Sequence, residues 1–310
     1  MSVQPDQATP TSPCAPPTHR RPGTGRALLR AVRPRQWTKN GLVLVAPLAS
    51  GALGHPEVLG RALIAFVGFT LVASGVYLAN DLADVDLDRA HPTRCHRPIA
   101  AGDLPVPVAR AAAAVLLVAG MALGFVDGWA LAAILGTYAA ASLAYSWRLK
   151  REPLVELGIV ASGFFLRAVA GAVATGVLAS DWFLLTAGFA SLFVVAGKRY
   201  AELRMSEATG RVTRPVLSSY TDSYLRFVWT VSAGAVMVTY ALWAFSNASA
   251  AGSRWSDAST VPFTFALLRY AAAVDDGRAG EPEEIILGDK VLLGAGIALL
   301  GCLLASVYLR

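Results

Sequence analysis

Nine apolar runs recur along the chain, at about 38–54, 59–79, 107–126, 129–147, 153–176, 182–198, 223–246, 260–274 and 289–308. Most approach the roughly 20 residues that a helix needs to cross a hydrocarbon core. A chain crossing lipid that often must satisfy each backbone N–H and C=O within its own helices. The pattern therefore predicts an all-α, polytopic membrane protein of nine spans. Composition agrees: 55% of residues are hydrophobic and 15% charged, where a soluble protein carries about a quarter. The run at 260–274 is the weakest of the nine.

The formal net charge is +6. In this class, basic loops set topology and face anionic lipid, and no nucleic-acid module is present. Arg20, Arg21, Arg26, Arg30, Arg33, Arg35 and Lys39 precede or open the first run. Arg89, Arg94, Arg97 and Arg110 follow the second; Arg148, Lys150 and Arg151 follow the fourth; Lys198, Arg199, Arg204, Arg211 and Arg214 follow the sixth. With nine spans all of these fall on one face, which the positive-inside rule makes cytoplasmic. The expected location is the plasma (cell inner) membrane, with the N-terminus inside and the active site on the cytoplasmic side. Residues 1–25, rich in Pro, Thr and Ser and lacking a signal-peptide pattern, read as a disordered tail on a transmembrane catalytic domain, 26–310. Cys14, Cys95 and Cys302 have no zinc-ligand spacing.

The stretch "NDLADVDLDRAHPTRCHRPIAAG" follows the second run. If that helix continues, Asn80, Asp81, Asp84 and Asp88 recur at three and four residues and share one face. Asp86 points away and reads as a solvated spectator. Carboxylates so spaced repel one another, and a helix C-terminus disfavours negative charge. A hard divalent cation removes both penalties; Mg²⁺ takes oxygen ligands and is usually held by one or two carboxylates plus a substrate phosphate. Asn80, Asp81, Asp84 and Asp88 are thus the predicted metal ligands, and the three aspartates the predicted catalytic groups.

Cations gather at the same helix ends. Arg94 and Arg97 follow the acids, Lys39 opens the first run, Lys150 follows the fourth, and Lys198 and Arg199 end the sixth. Each serves topology or a phosphate; a guanidinium suits phosphate through its planar fork. Arg167 lies inside the fifth run, where a charge marks a polar cavity or substrate path by default. Tyr200 and Glu202 complete the "GKRYAE" segment as candidate substrate contacts. Glu156 and Glu202 are open to two readings, as metal ligands or as arginine partners. The acidic stretch 275–284 reads as a mobile loop. No histidine has ligand spacing.

Together these residues resemble the UbiA superfamily of intramembrane prenyltransferases, from about residue 26 onward. The resemblance rests on the Asn-Asp-x-x-Asp-x-x-x-Asp stretch, "YSWRLK" after the fourth run, nine predicted helices and the cytoplasmic placement. Typical members carry a second Asp-x-x-x-Asp motif near the sixth helix, holding a prenyl diphosphate through further Mg²⁺. Here "GKRYAE" stands instead, and basic side chains there suit a phosphate bound directly. The segments "RPRQWTKNGLVLVAPL" and "AGKRYAELR" resemble the branch that transfers 5-phosphoribose from phosphoribosyl pyrophosphate (PRPP) to decaprenyl phosphate, a step feeding cell-wall arabinan. That resemblance implies a Mg²⁺-dependent transferase whose partners are PRPP, a polyprenyl phosphate and the membrane, with self-association into a homo-oligomer left open. The alternatives are a prenyltransferase with a prenyl diphosphate donor, and a non-enzymatic lipid transporter or scaffold.

Overall fold

The computed structural model describes residues 23–309 except 92, 148, 150, 151, 211–214, 252 and 278–281. Among them all regular structure is helical. A short helix α1 (Thr24–Ala31) leads into a 3-10 segment, Pro34–Leu44, and helix α2 (Val45–Ala49). Then follow α3 (Pro56–Ala83), α4 (Val85–Arg89), α5 (Val106–Asp127), α6 (Trp129–Trp147) and α7 (Val155–Thr175). The rest are α8 (Asp181–Thr209), α9 (Asp222–Ala251), α10 (Arg254–Ala258), α11 (Thr260–Asp275), α12 (Pro282–Gly288) and α13 (Lys290–Tyr308).

Seven of these, α3, α5 to α9 and α13, are long and apolar enough to cross a membrane. The protein is a multi-pass membrane protein. The other two predicted spans take different forms. Residues 38–54 are not one α-helix: a 3-10 segment runs into α2, and Pro47 and the left-handed Gly51 interrupt any longer α-helix. A 3-10 helix rises about 2.0 Å per residue, so this segment and α2 together cover about 30 Å with few residues. The weak eighth run forms α11, sixteen residues long.

The bundle closes through small residues. On α3 and α5, a Cβ added at Gly120 would lie 2.6 Å from Val72 Cγ2 and 3.0 Å from the Gly68 carbonyl oxygen. Backbones approach that closely only at glycine, as in other membrane helix pairs. On α7, a Cβ at Gly171 would lie 1.8 Å from the Val43 carbonyl oxygen. The 3-10 segment is therefore seated against α7. Two interior clusters fill the halves of the bundle. Val43, Phe69, Val72, Leu131, Leu135 and Tyr138 pack between the 3-10 segment, α3, α6 and α7. Phe193, Tyr200, Leu217, Leu225, Trp229 and Tyr270 pack around α8 and α9.

Helix α8 overruns its predicted end at 198 by eleven residues. Lys, Arg, Ala, Glu, Leu and Met are good helix formers, and Tyr200, Ala201 and Leu203 on that extension are buried. Ser180 caps its start, accepting from Phe183 N–H at 3.2 Å, and Gly210 (φ 67°) follows its end. "GKRYAE" thus lies within α8 rather than at its end.

Candidate active site

Helix α3 carries the acids out of the apolar bundle. It ends at Ala83, and α4 starts at Val85. The i to i+4 register survives the joint: Asp84 N–H donates to the Asn80 carbonyl at 3.0 Å, and Asp88 N–H to that of Asp84 at 2.8 Å. Asp81 and Asp88 are buried, at 2% and 1% exposure, and Asn80 and Asp84 are half-buried. Asp86 faces solvent and pairs with Arg89 at 3.0 Å, as expected of a spectator.

Two arginines converge on the buried acids. Arg97 Nη1 lies 3.1 Å from Asp81 Oδ1 and 2.7 Å from Asp88 Oδ2. Arg33 Nη2 lies 2.5 Å from the same Asp81 oxygen, and its guanidinium sits 5.0 Å from the Tyr77 ring centroid. The backbone that carries Arg97 is fixed by its loop: Ile99 and Leu104 are buried with Ala27, Ala31, Leu78 and Ala109, and Leu104 N–H donates to the Pro98 carbonyl at 2.9 Å. Ser146 on α6 donates to Asn80 Oδ1 at 2.5 Å and ties α6 to the same helix end. Arg94, half-buried, opens the short 3-10 turn Arg94–His96. His91 caps it: its Nδ1 accepts from the Thr93 and Arg94 N–H groups at 3.2 and 3.3 Å. Burial and, next, the Arg94 charge hold its imidazole below its ordinary value.

The acids fit a hard cation by chemistry and by one orphan. Asp88 Oδ1 is buried without a hydrogen-bond partner, a costly state that a cation relieves. Yet no three Asp, Glu, His or Cys side chains among the described residues already stand in metal-holding geometry. Asp81 and Asp88 are drawn together by Arg97 instead.

The other candidates divide. The sequence assigns Arg199 to a phosphate; the structure commits its nitrogens to carboxylates. Nε reaches Glu156 Oε1 at 2.8 Å, Nη2 bonds the same oxygen, and Nη1 reaches Glu202 Oε2 at 2.8 Å. Glu156 is fully buried and Arg199 is 3% exposed, so both glutamates act as arginine partners here. Arg167 likewise bonds inward: Nε to Asn40 Oδ1 at 2.7 Å, Nη1 to the Gly163 carbonyl at 2.6 Å, Nη2 to Tyr138 OH at 3.1 Å. Asn40 in turn donates to Thr70 Oγ1 at 2.9 Å. This intramembrane arginine ties the 3-10 segment to α3, α6 and α7. Tyr200 is 1% exposed; its hydroxyl donates to Asp275 Oδ1 at 3.2 Å and its ring stacks on Trp229 at 5.3 Å. Lys150 and part of the 275–284 loop lie outside the described residues.

Lys39 and Lys198 are half-buried. Lys39 lines an apolar cavity of about 480 Å³ with Leu42, Phe164, Val194, Trp243 and Leu299. Lys198 lies four residues beyond Val194, on the same face of α8. In the sequence Arg33 reads as a topology charge, and Asn40 and Ser146 carry no charge that marks them.

The chain is similar to known proteins. The UbiA prenyltransferase family profile matches residues 41–287. A decaprenyl-phosphate phosphoribosyltransferase of Mycobacterium tuberculosis is 50% identical over 90% of this chain and 94% of its own. The protein of that name from Corynebacterium glutamicum is 49% identical over 91% and 87%. A UbiA homolog from Archaeoglobus fulgidus, solved with GPP and Mg²⁺, superposes with a TM-score of 0.66 at 17% identity, covering 91% of this chain and 99% of that one. A helical bundle of this shape, with its acids at the end of α3 and a family profile spanning most of it, belongs to the UbiA prenyltransferase family.

Proposed function

We propose that this protein transfers 5-phosphoribose from PRPP to decaprenyl phosphate, releasing diphosphate. The observation that carries the reading is the near-50% identity, over nine-tenths of the chain, to enzymes of that name. The geometry supplies what such a reaction needs: buried carboxylates with two arginines at one helix end, and an apolar cavity with Lys39 in its lining.

The apolar cavity takes the start of the lipid chain, which is excluded from water there. Lys39 on its rim and Lys198 on the same face of α8 supply cations for the lipid phosphate and the 5-phosphate of PRPP. Arg97 and Arg94 face the diphosphate. A divalent cation, Mg²⁺ in this reading, would draw on Asp81, Asp84 and Asp88, assisted by Asn80, and supply neutralisation of charge on the departing diphosphate. The lipid phosphate oxygen attacks C1 of the ribose from the face opposite the diphosphate. The C1–O bond to diphosphate breaks, its electron pair leaves with diphosphate, and the new C1–O bond forms. A phosphate monoester is already anionic near neutral pH, so no strong base is required.

We read residues 34–49 and α11 as crossing the membrane alongside the seven long helices; with nine spans, the positive-inside rule would put the basic loops and the site on the cytoplasmic face. The location in the plasma membrane, the arabinan role and any homo-oligomer belong to the same proposal.

The deciding experiment incubates purified protein and Mg²⁺ with decaprenyl phosphate and either PRPP or a prenyl diphosphate, and identifies products by mass spectrometry. The expected product is decaprenylphosphoryl 5-phosphoribose, from PRPP alone. Prenylated product from a prenyl diphosphate, with PRPP inert, would establish the rival donor; no product from either would favour the transporter reading.

A further inference from the structure

Arg33 is the one residue other than glycine, among those described, whose backbone lies in the left-handed region (φ 56°, ψ 63°). It also precedes Pro34, whose ring restricts the residue before it. Such a conformation persists only where its surroundings over-determine it, and it clusters at functional positions. The surroundings here are specific. The Val32 carbonyl accepts from Trp37 Nε1 at 3.2 Å and from Ser74 Oγ at 3.4 Å. This pins the chain just before Arg33 and turns its side chain onto Asp81.

Two guanidiniums consequently share one oxygen, Asp81 Oδ1, and Arg97 also holds Asp88 Oδ2. Two positive charges offset two negative ones, and still Asp88 Oδ1 is left buried and unpartnered. A divalent cation drawn to the unpartnered Asp88 Oδ1 and the neighbouring Asp81 carboxylate would sit within a few ångströms of both guanidiniums, and like charges that close repel strongly at low dielectric. One set must move. The carboxylates are buried, while the side chains of Arg33 and Arg97 are 26% and 30% exposed, so the arginines have room to swing.

We infer that Arg33 and Arg97 form a relay: they neutralise Asp81 and Asp88 when no divalent cation is bound, and pass to the donor's diphosphate when a divalent cation takes the carboxylates. Arg33 is thereby a substrate-binding residue outside the Asp-rich stretch. A diphosphate brings several negative charges and suits two guanidinium forks. Metal without diphosphate is bound weakly because it must displace arginines that then have no partner. Metal with diphosphate is bound well because each displaced arginine gains a phosphate.

The inference rests on the proposed sugar-diphosphate donor, and its test separates the two. Binding of Mn²⁺ alone, and then of PRPP at saturating Mn²⁺, is measured by calorimetry on the full chain in detergent. Arg33→Gln and Arg97→Gln each remove a competitor. Mn²⁺ alone should bind on the order of tenfold more tightly to either variant, and PRPP on the order of tenfold more weakly. A purely structural arginine would not move the two ligands in opposite directions. Unchanged or weakened Mn²⁺ binding in both variants overturns the relay even where PRPP binds the wild type. Should a Gln variant fail to fold, Arg33→Lys keeps the charge and loses the fork: Mn²⁺ affinity then stays within about twofold while PRPP weakens, and loss of Mn²⁺ affinity overturns the relay. Tighter Mn²⁺ binding in the variants, with PRPP failing to bind wild type, keeps the competition and overturns the choice of donor.

Discussion

Two groups of buried charge meet neighbouring residues of α6 and are built in opposite ways. At the end of α3, two acids are met by two arginines, and the arginines are the exposed partners, at 26% and 30%. Between α7 and α8, two acids share one arginine, and that arginine is the sealed partner at 4% side-chain exposure. Adjacent residues of α6 touch both groups: Ser146 bonds Asn80, and Tyr145 approaches Glu156 at 3.5 Å. What separates the groups is access. An exposed guanidinium can change partners when a phosphate arrives. A sealed one serves the fold, because breaking a buried pair strands a charge.

The largest effect expected from this contrast is at the open group. Asp88→Asn keeps the shape of the side chain and removes its charge. Transfer should fall on the order of 10²–10³-fold or more, with the thermal melting curve of the detergent-solubilised protein shifted little. Asp84→Ala, at the half-buried joint between α3 and α4, should abolish transfer in the same way. Near-normal turnover in either variant would show that the acids do not hold the donor's diphosphate or its cation.

The sealed group predicts the reverse pattern. Arg199→Met leaves Glu156 and Glu202 buried without a partner and should destabilise the fold by about 3–5 kcal/mol, seen as a lower melting midpoint. Combining it with Glu156→Gln and Glu202→Gln removes the stranded charges and should restore most of that loss. If Arg199 instead served a phosphate, the triple variant would be stable and inactive. Recovery of both stability and turnover supports the structural role.

The contrast also explains what could be read from the sequence. The acids were legible because their spacing is local: three- and four-residue intervals define a helix face wherever the helix leads. Asp86 dropped out by the same geometry. The arginine partners were not legible. Arg33 lies 48 residues from Asp81, and Arg199 lies 43 from Glu156. Arg167 meets Asn40 across 127. Every cation at a helix end satisfies the positive-inside pattern equally well, so sequence offers no signal to tell a topology charge from a ligand or a clamp. The overrun of α8 has the same cause. A charged run looks like a helix end, although Arg199 is buried by pairing with both Glu156 and Glu202. The first run was legible as apolar but not as 3-10, since that form is imposed by contacts: Asn40 to Thr70 and Arg167, and Val43 against Gly171.

The smallest effect tests how finished the sealed group is. Tyr220 OH and Glu156 Oε2 are both buried without a hydrogen-bond partner, and burial, then the Glu156 charge, pushes the Tyr220 phenol well above its ordinary value. The phenol therefore stays protonated at any pH the protein tolerates. It contributes a desolvated hydroxyl and no bond that offsets it. Removing an unsatisfied group while keeping the ring should be neutral or stabilising, within about 1 kcal/mol. Tyr220→Phe should thus leave the melting midpoint level or slightly raised and the rate unchanged, measured beside wild type in the same detergent. A clear loss of stability would mean that the hydroxyl does bond within the group, through a water joining it to Glu156. The sealed group would then be fully satisfied, and its contrast with the open one, where Asp88 Oδ1 is also unmatched, would be sharper still.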